Sequence, residues 1–196
     1  MSEVPQRPRA VSALGGISRS GFATVTEAGL RGMITVRGDL ASRRMAAAVK
    51  AATGTAVPPP RRIVTKDDRA ALWMSPDELM ILVPHADAPR AAATLSASLA
   101  GEHALVADVS DARTTFTITG PKADQVLRKL TPADLDRLAE GEVRRTRIAQ
   151  VAGAFWRSAP EEFTLVTFRS VAAYVMALLE TASRAGTELD RADRRP

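Results

Sequence analysis

One phrase occurs twice in the chain. ALWMSPDELMILV, residues 71–83, returns as AFWRSAPEEFTLVT, residues 154–167. The two tryptophans of the sequence, at 73 and 156, stand at an offset of 83. Aligned on them, Ser75, Pro76 and Glu78 meet Ser158, Pro160 and Glu162 once Ala159 is taken as an insertion, and Leu79, Ile81 and Leu82 meet Phe163, Leu165 and Val166. Self-similarity of this kind requires one supersecondary unit to be built twice from diverged residues.

The offset persists upstream. RGMITVRG at 31–38 matches RTTFTITG at 113–120, with Ile34 and Val36 on Phe116 and Ile118, and Gly38 on Gly120. This is the period-two pattern of strands with one buried face. A helix follows in each copy. In the first, Asp39 is the expected cap, Ala41, Met45, Ala48 and Ala52 form the apolar stripe, and Gly54 ends it. In the second, Pro121 suits the first turn and Ala123, Leu127 and Leu130 share a face. A connection then leads to a further strand and the quoted hairpin, whose Ser75-Pro76-Asp77 is turn chemistry. A last helix closes each unit, with Ala92, Leu95 and Leu99 inward in one copy, and Ser170 capping a Val171, Tyr174, Val175, Leu178, Leu179 stripe in the other.

The expected fold is therefore α+β, an internal duplication of a strand-strand-helix-strand-strand-strand-helix unit. The repeats cover residues 22–101 and 102–185, flanked by flexible tails at 1–21 and 186–196, which are rich in Arg, Pro, Gly and small residues. Trp73, Trp156, Gly38, Gly120 and Pro121 are the expected structural anchors, the tryptophans read as equivalent packing residues.

With 196 residues, 45% of them apolar, the chain can bury a substantial core. No apolar run is long enough for a membrane-spanning helix, and the first residues have no secretory pattern. The absence of cysteine removes disulfides, thiolate nucleophiles and iron–sulfur ligation together, and a cytoplasmic location is expected. A net charge of +5 raises the question of nucleic acid. Charges of both signs alternate, however, and aromatics are 4% of residues, leaving little for base stacking. The cluster Arg144, Arg145, Arg147 reads as a charged edge strand.

Catalytic equipment is sparse. The two histidines, His85 and His103, have no carboxylate at ligand spacing, and no HExxH, GxSxG, phosphate loop or dinucleotide fingerprint occurs. The remaining candidates lie in DVSDART, residues 108–114, where Asp108, Ser110, Asp111 and Arg113 either bond a turn backbone and one another or form a ligand or interface contact.

The segment from Asp108-Val109-Ser110 through Gly120, Pro121 and Ala123, Leu127, Leu130, Gly141, Thr146 and the 156–175 region resembles the gamma subunit of heterotetrameric sarcosine oxidase. That family is similar to the folate-dependent aminomethyltransferases, the T-proteins of glycine cleavage. The resemblance extends through the first half. It implies an aminomethyltransferase-like folate-binding fold and an accessory, non-catalytic subunit within a hetero-oligomer. FAD, covalently bound FMN, NAD, zinc and the tetrahydrofolate site would reside on other chains of an enzyme that demethylates sarcosine to glycine with release of peroxide. Two departures separate this chain from the aminomethyltransferases: Asp111 stands where their pattern resembles Asp-Val-Ser-His, and residues 151–157 carry no acid. No catalytic, cofactor-binding or metal-binding residue is assigned on this basis. The alternatives are an independent folate-binding protein, and the equivalent subunit of a related N-methyl amine dehydrogenase such as that for N-methylglutamate.

Overall fold

The computed structural model describes residues 9–189. After a short β1 (Ser18–Ser20), the first half runs β2 (Thr24–Glu27), β3 (Gly32–Arg37), α1 (Arg43–Thr53), β4 (Ile63–Lys66), β5 (Arg69–Ser75), β6 (Glu78–Val83) and α2 (Ala88–Ser98). The second runs β7 (Leu105–Asp108), β8 (Arg113–Thr119), α3 (Ala123–Arg128), β9 (Val143–Ile148), β10 (Val151–Ala159), β11 (Glu162–Phe168) and α4 (Ala172–Ala182). Both halves thus follow the same order of strands and helices, and the fold is α+β.

The strands form two antiparallel sheets, ordered β1-β2-β8-β11-β10-β9 and β4-β5-β6-β3-β7. The sheets do not coincide with the sequence halves. β2 leads directly into β3, yet pairs with β8 in the other sheet, Val25 opposite Ile118. β7 leads directly into β8, yet pairs with β3, Val106 opposite Val36. Each half lends its first strand to the sheet of the other. The crossings are made by residues 28–31 and 109–112, and each continues its ladder by one bond: Ala28 N–H donates to the Thr115 carbonyl at 2.9 Å, and Val109 N–H to that of Met33 at 2.8 Å.

Alternation of side chains across the strands divides the interior into three clusters. On the outer face of the six-stranded sheet, Phe116, Ile118, Phe155, Phe163 and Leu165 pack with Val126 and Leu127 of α3 and Val175 and Leu179 of α4. On the outer face of the five-stranded sheet, Ile34, Val36, Leu79 and Ile81 pack with Met45 and Val49 of α1 and Leu95 of α2. Between the sheets lie Met33, Leu72, Met80, Leu82, Val143, Trp156 and Val166. The order of layers is helices, sheet, sheet, helices, so both faces of each sheet are covered.

Hairpin register corrects the tryptophan alignment. Trp73 pairs with Leu79, and Arg157 with Phe163. Ile34 sits opposite Ile81 as Phe116 sits opposite Leu165. The bulges fall between Trp73 and Ser75 and between Arg157 and Ala159. Arg157 therefore occupies the place of Trp73, and Trp156 that of Leu72. Trp73 is half-buried against the helix-side cluster, whereas Trp156 is buried between the sheets. A shift of one residue moves a strand side chain to the opposite face, so the two indoles are not equivalent anchors.

Gly38 and Gly120 do hold matching places. At φ 154° and 127°, values that favour glycine, their N–H groups donate to the carbonyls of Asp77 and Glu161 respectively, both at 2.9 Å. Each lies against the start of a borrowed strand: a Cβ on Gly38 would approach Ala104 and His103, and one on Gly120 would approach Phe22 and Ala23.

Several local expectations shift. Ser42, not Asp39, caps α1 by accepting from Met45 N–H, while Asp39 accepts from Ala41 N–H one turn earlier. Gly54 ends the helix in the left-handed region as expected. Pro121 stands in the turn before α3, which begins at Ala123. No side chain caps α4, because Ser170 lies in a preceding 3-10 turn, and the inward residues are Ala172, Val175, Met176, Leu179 and Ala182. Tyr174 and Leu178 face outward instead. Part of each expected tail is bound. Arg19 opposes Val25 across the β1–β2 ladder; Leu14 and Ile17 pack on the core; and Leu189 N–H donates to Gln125. The remaining tail residues, 1–8 and 190–196, lie outside the described residues.

Two outcomes follow from this packing. Trp156→Ala is expected to lower unfolding free energy by about 3–5 kcal/mol, the range for deleting a large core aromatic, and Trp73→Ala by distinctly less, read from urea denaturation of both variants. Residues 22–101 and 102–185 expressed separately are each expected to lack a cooperative transition by circular dichroism, because each loses a central strand's partner; a cooperative melt in either fragment would contradict the interlocked arrangement.

Candidate functional site

Among the described residues, three glutamates, Glu27, Glu78 and Glu142, are buried. Burial of a carboxylate is costly without partners, so the groups around each reveal what it does. Glu27, at the end of β2, accepts from Ser12 Oγ at 2.8 Å and from Gly16 N–H at 2.7 Å, fastening the N-terminal segment to the core. Glu142 accepts from Ala139 N–H at 3.1 Å and is paired with Arg144 and Arg61. It stands at a seam where Ile63 N–H donates to the Gly141 carbonyl and Val143 N–H to that of Arg61, joining the β4 and β9 edges of the two sheets.

Glu78 differs because its surroundings are not saturated. It opens β6, all six of whose residues are buried, and faces the space between the sheets. There it meets Arg145 of β9, whose guanidinium donates to Glu78 at 3.1 Å. Arg113 of β8 and Phe168 of β11 complete a small cleft with Met74, Met80 and Gly153. The guanidinium of Arg113 lies 4.0 Å from the Phe168 ring centroid, a cation–π contact. Burial lowers the Arg113 pKa, opposed by attraction to Glu78 and reinforced by repulsion from Arg145. Arg145 also belongs to the charged edge expected from sequence, since β9 is the outer strand of its sheet.

The four candidates of the 108–113 segment separate. Asp108 Oδ1 accepts from Ser110 N–H at 3.0 Å and from Ser110 Oγ at 2.5 Å, while Ser110 Oγ accepts from Met33 N–H at 3.0 Å. These two residues build the second crossing between sheets. Asp111 is exposed. Neither aspartate pairs with Arg113; the turn points their carboxylates elsewhere, and Arg113 turns inward toward Glu78. The sequence signal for Glu78 as part of a site was an acid at the head of an otherwise apolar strand. Its partners, on β8 and β9, could not be read without the tertiary arrangement.

A second surface feature is apolar. Leu130, Tyr174, Ala177 and Leu178 line a shallow depression of about 540 Å³ on the outer side of α4. Among the described residues, no group of three or more His, Asp or Glu side chains could hold a metal ion, and no helix is long and apolar enough to cross a membrane.

The model of the sarcosine oxidase gamma subunit family matches residues 37–185. This chain belongs to that family. Over 121 residues it is 36% identical to the sarcosine oxidase subunit gamma of Arthrobacter sp., covering 60% of this chain and 59% of that protein. Over 124 residues it is 33% identical to the subunit of Corynebacterium sp. strain P-1, covering 61% and 60%. The match thus spans about three fifths of these relatives. Among solved structures, it superposes on a chain of the heterotetrameric sarcosine oxidase of Corynebacterium sp. U-96, in complex with pyrrole 2-carboxylate, with TM-score 0.76, 26% identity, and 85% and 87% of the two chains covered. The fold is also similar to that of the glycine cleavage aminomethyltransferase T of Bartonella henselae, with TM-score 0.57 at 16% identity, over 79% of this chain and 44% of that one.

Glu142 supplies a pH test of the seam. Burial opposes its ionisation, but the Ala139 N–H and the Arg144 and Arg61 cations outweigh this, and its pKa is lowered. A carboxyl with a depressed folded-state pKa stabilises the fold above its unfolded-state value, and that contribution disappears as pH falls toward the folded-state pKa. Below about pH 4.3, the ordinary glutamate value, the wild type should lose stability more steeply than Glu142→Gln, as measured by urea midpoints across pH 3 to 7; parallel curves would contradict the assignment.

Proposed function

We propose that this chain is the accessory subunit of a heterotetrameric sarcosine oxidase, acting in the cytoplasm by assembly and contributing no catalytic group of its own. The carrying observation is the superposition on a chain of such an enzyme over 85% of the present chain. In this reading the FAD, FMN, NAD, zinc and tetrahydrofolate sites and the sarcosine demethylation chemistry belong to the other subunits. The sparse titratable equipment supports it: His85 and His103 stand apart in the sequence and, among the described residues, belong to no group of three or more side chains able to hold a metal. The outward Tyr174, Leu130 and Leu178 supply apolar area for a subunit contact.

We further propose that the chain arose by duplication of residues 22–101 and 102–185. The matching strand order, the paired Gly38–Asp77 and Gly120–Glu161 bonds and the reciprocal loan of β2 and β7 support this reading.

The test is expression alone and together with two flavoprotein subunits and a small zinc subunit of a sarcosine oxidase. The chain alone is expected to show no flavin absorbance and no sarcosine-dependent peroxide, and to co-purify stoichiometrically with the others. Sarcosine oxidation by the lone chain would overturn the accessory reading. Failure to co-purify, combined with tetrahydrofolate binding by the lone chain, would favour an independent folate-binding protein. Oxidation of N-methylglutamate in preference to sarcosine would reassign the complex.

A further inference from the structure

The cleft between the sheets holds one cation more than its single acid balances. Arg145 donates to Glu78 at 3.1 Å and is also its salt-bridge partner. Arg113 has only the longer-range attraction of Glu78 and the face of Phe168. Its Nε–H is buried without a hydrogen-bond acceptor. Two residues along the same face of β8, the hydroxyl of Thr115 is likewise buried and without a partner. Thr115 stands opposite Val166, which lines the cleft, as Arg113 stands opposite Phe168. Buried polar atoms in folded proteins are normally paired, so the open Nε–H of Arg113, on the wall of the cleft, marks a place for an acceptor.

The space is about 60 Å³. That exceeds the roughly 10–15 Å³ one water needs and suits a small planar group rather than a substituted ring. With two arginines and one glutamate around it, the cleft selects an anion, and the fork of a guanidinium matches a carboxylate. Phe168, 41% exposed, stands at the rim.

We propose that this cleft binds a single carboxylate group, with Arg113 as its principal donor and Arg145 as its second cation. The group comes either from a small free acid or from an Asp or Glu side chain of an adjoining subunit. The site itself does not depend on the accessory-subunit reading; only the choice between these two sources does.

The probe is formate. In the full chain labelled with ¹⁵N, replacing chloride by formate at constant ionic strength should shift the Arg113 Nε–H resonance saturably. Arg145→Met should weaken formate binding at least about tenfold, because Glu78 is then free to pair with Arg113. Glu78→Gln should tighten it by a similar factor, because the competing carboxylate is removed. These opposite signs are not produced by a general loss of packing, and if Arg145→Met does not fold, Glu78→Gln alone decides. A response that is linear, or equal to that of chloride, or not tightened in Glu78→Gln, overturns the proposal. The source is then read in the co-purified assembly from proton saturation transfer to formate, compared between wild type and Arg113→Lys. An Arg113-dependent signal that persists identifies a free acid, and one present in the lone chain but absent from the assembly identifies a subunit side chain.

Discussion

The reciprocal pairing of β2 with β8 and β7 with β3 is the constraint on which the remainder of this structure rests. Each of these ladders joins a strand to the sheet of the other half. Because the connections back are only residues 28–31 and 109–112, the two sheets are held face to face by chain continuity as well as by side-chain burial. Had each half kept its own first strand, the backbone bonds between the halves would be reduced to the short seam at Arg61–Ile63 and Gly141–Val143. With the strands exchanged, separating the sheets requires breaking backbone hydrogen bonds on both sides, which makes the chain one cooperative unit.

The layer between the sheets follows from that geometry and is uneven along its length. One end is filled by Met33, Leu72, Leu82, Val143 and Trp156. The other contains Glu78, Arg113 and Arg145 with little filling. Charged groups are seldom placed between two sheets unless paired, and here the pairing is incomplete on the cation side. At the start of the same strand β9 that carries Arg145, Glu142 and its arginines bind the β4 and β9 margins together. A charge set thus closes the seam with its partners satisfied, while another leaves a cleft.

The local pattern was largely legible from sequence. Alternation in RGMITVRG and RTTFTITG marked β3 and β8, and the SPDE and APEE turns marked the hairpins that follow, because strand periodicity and turn chemistry act over a few residues. Gly38 and Gly120 could be matched because both must accept a backbone angle that suits glycine. The tryptophans misled for the same reason that strands are readable: identity in sequence carries no information about a one-residue offset, and only the ladder, with Trp73 on Leu79 and Arg157 on Phe163, shows which face each residue occupies. Asp108 and Ser110 bond each other and Met33 across the crossing, whereas Arg113, which the sequence left as a possible partner, opens β8 beyond the intervening 3-10 turn and faces Glu78.

Sequence by itself determined the kinds of elements, their order in each half, and membership of the sarcosine oxidase gamma subunit family, because all three depend on short-range pattern and on motif order along the chain. Tertiary structure alone decided which strand each edge strand would join, which face of each sheet would meet the other, and which charges would be brought together. Glu78, Arg113 and Arg145 lie far apart in sequence, on three strands, and their meeting depends on the exchange of β2 and β7. That exchange is settled by the free energy of burying both sheet faces and completing both ladders at once, a sum over distant residues that no local stretch of the chain contains.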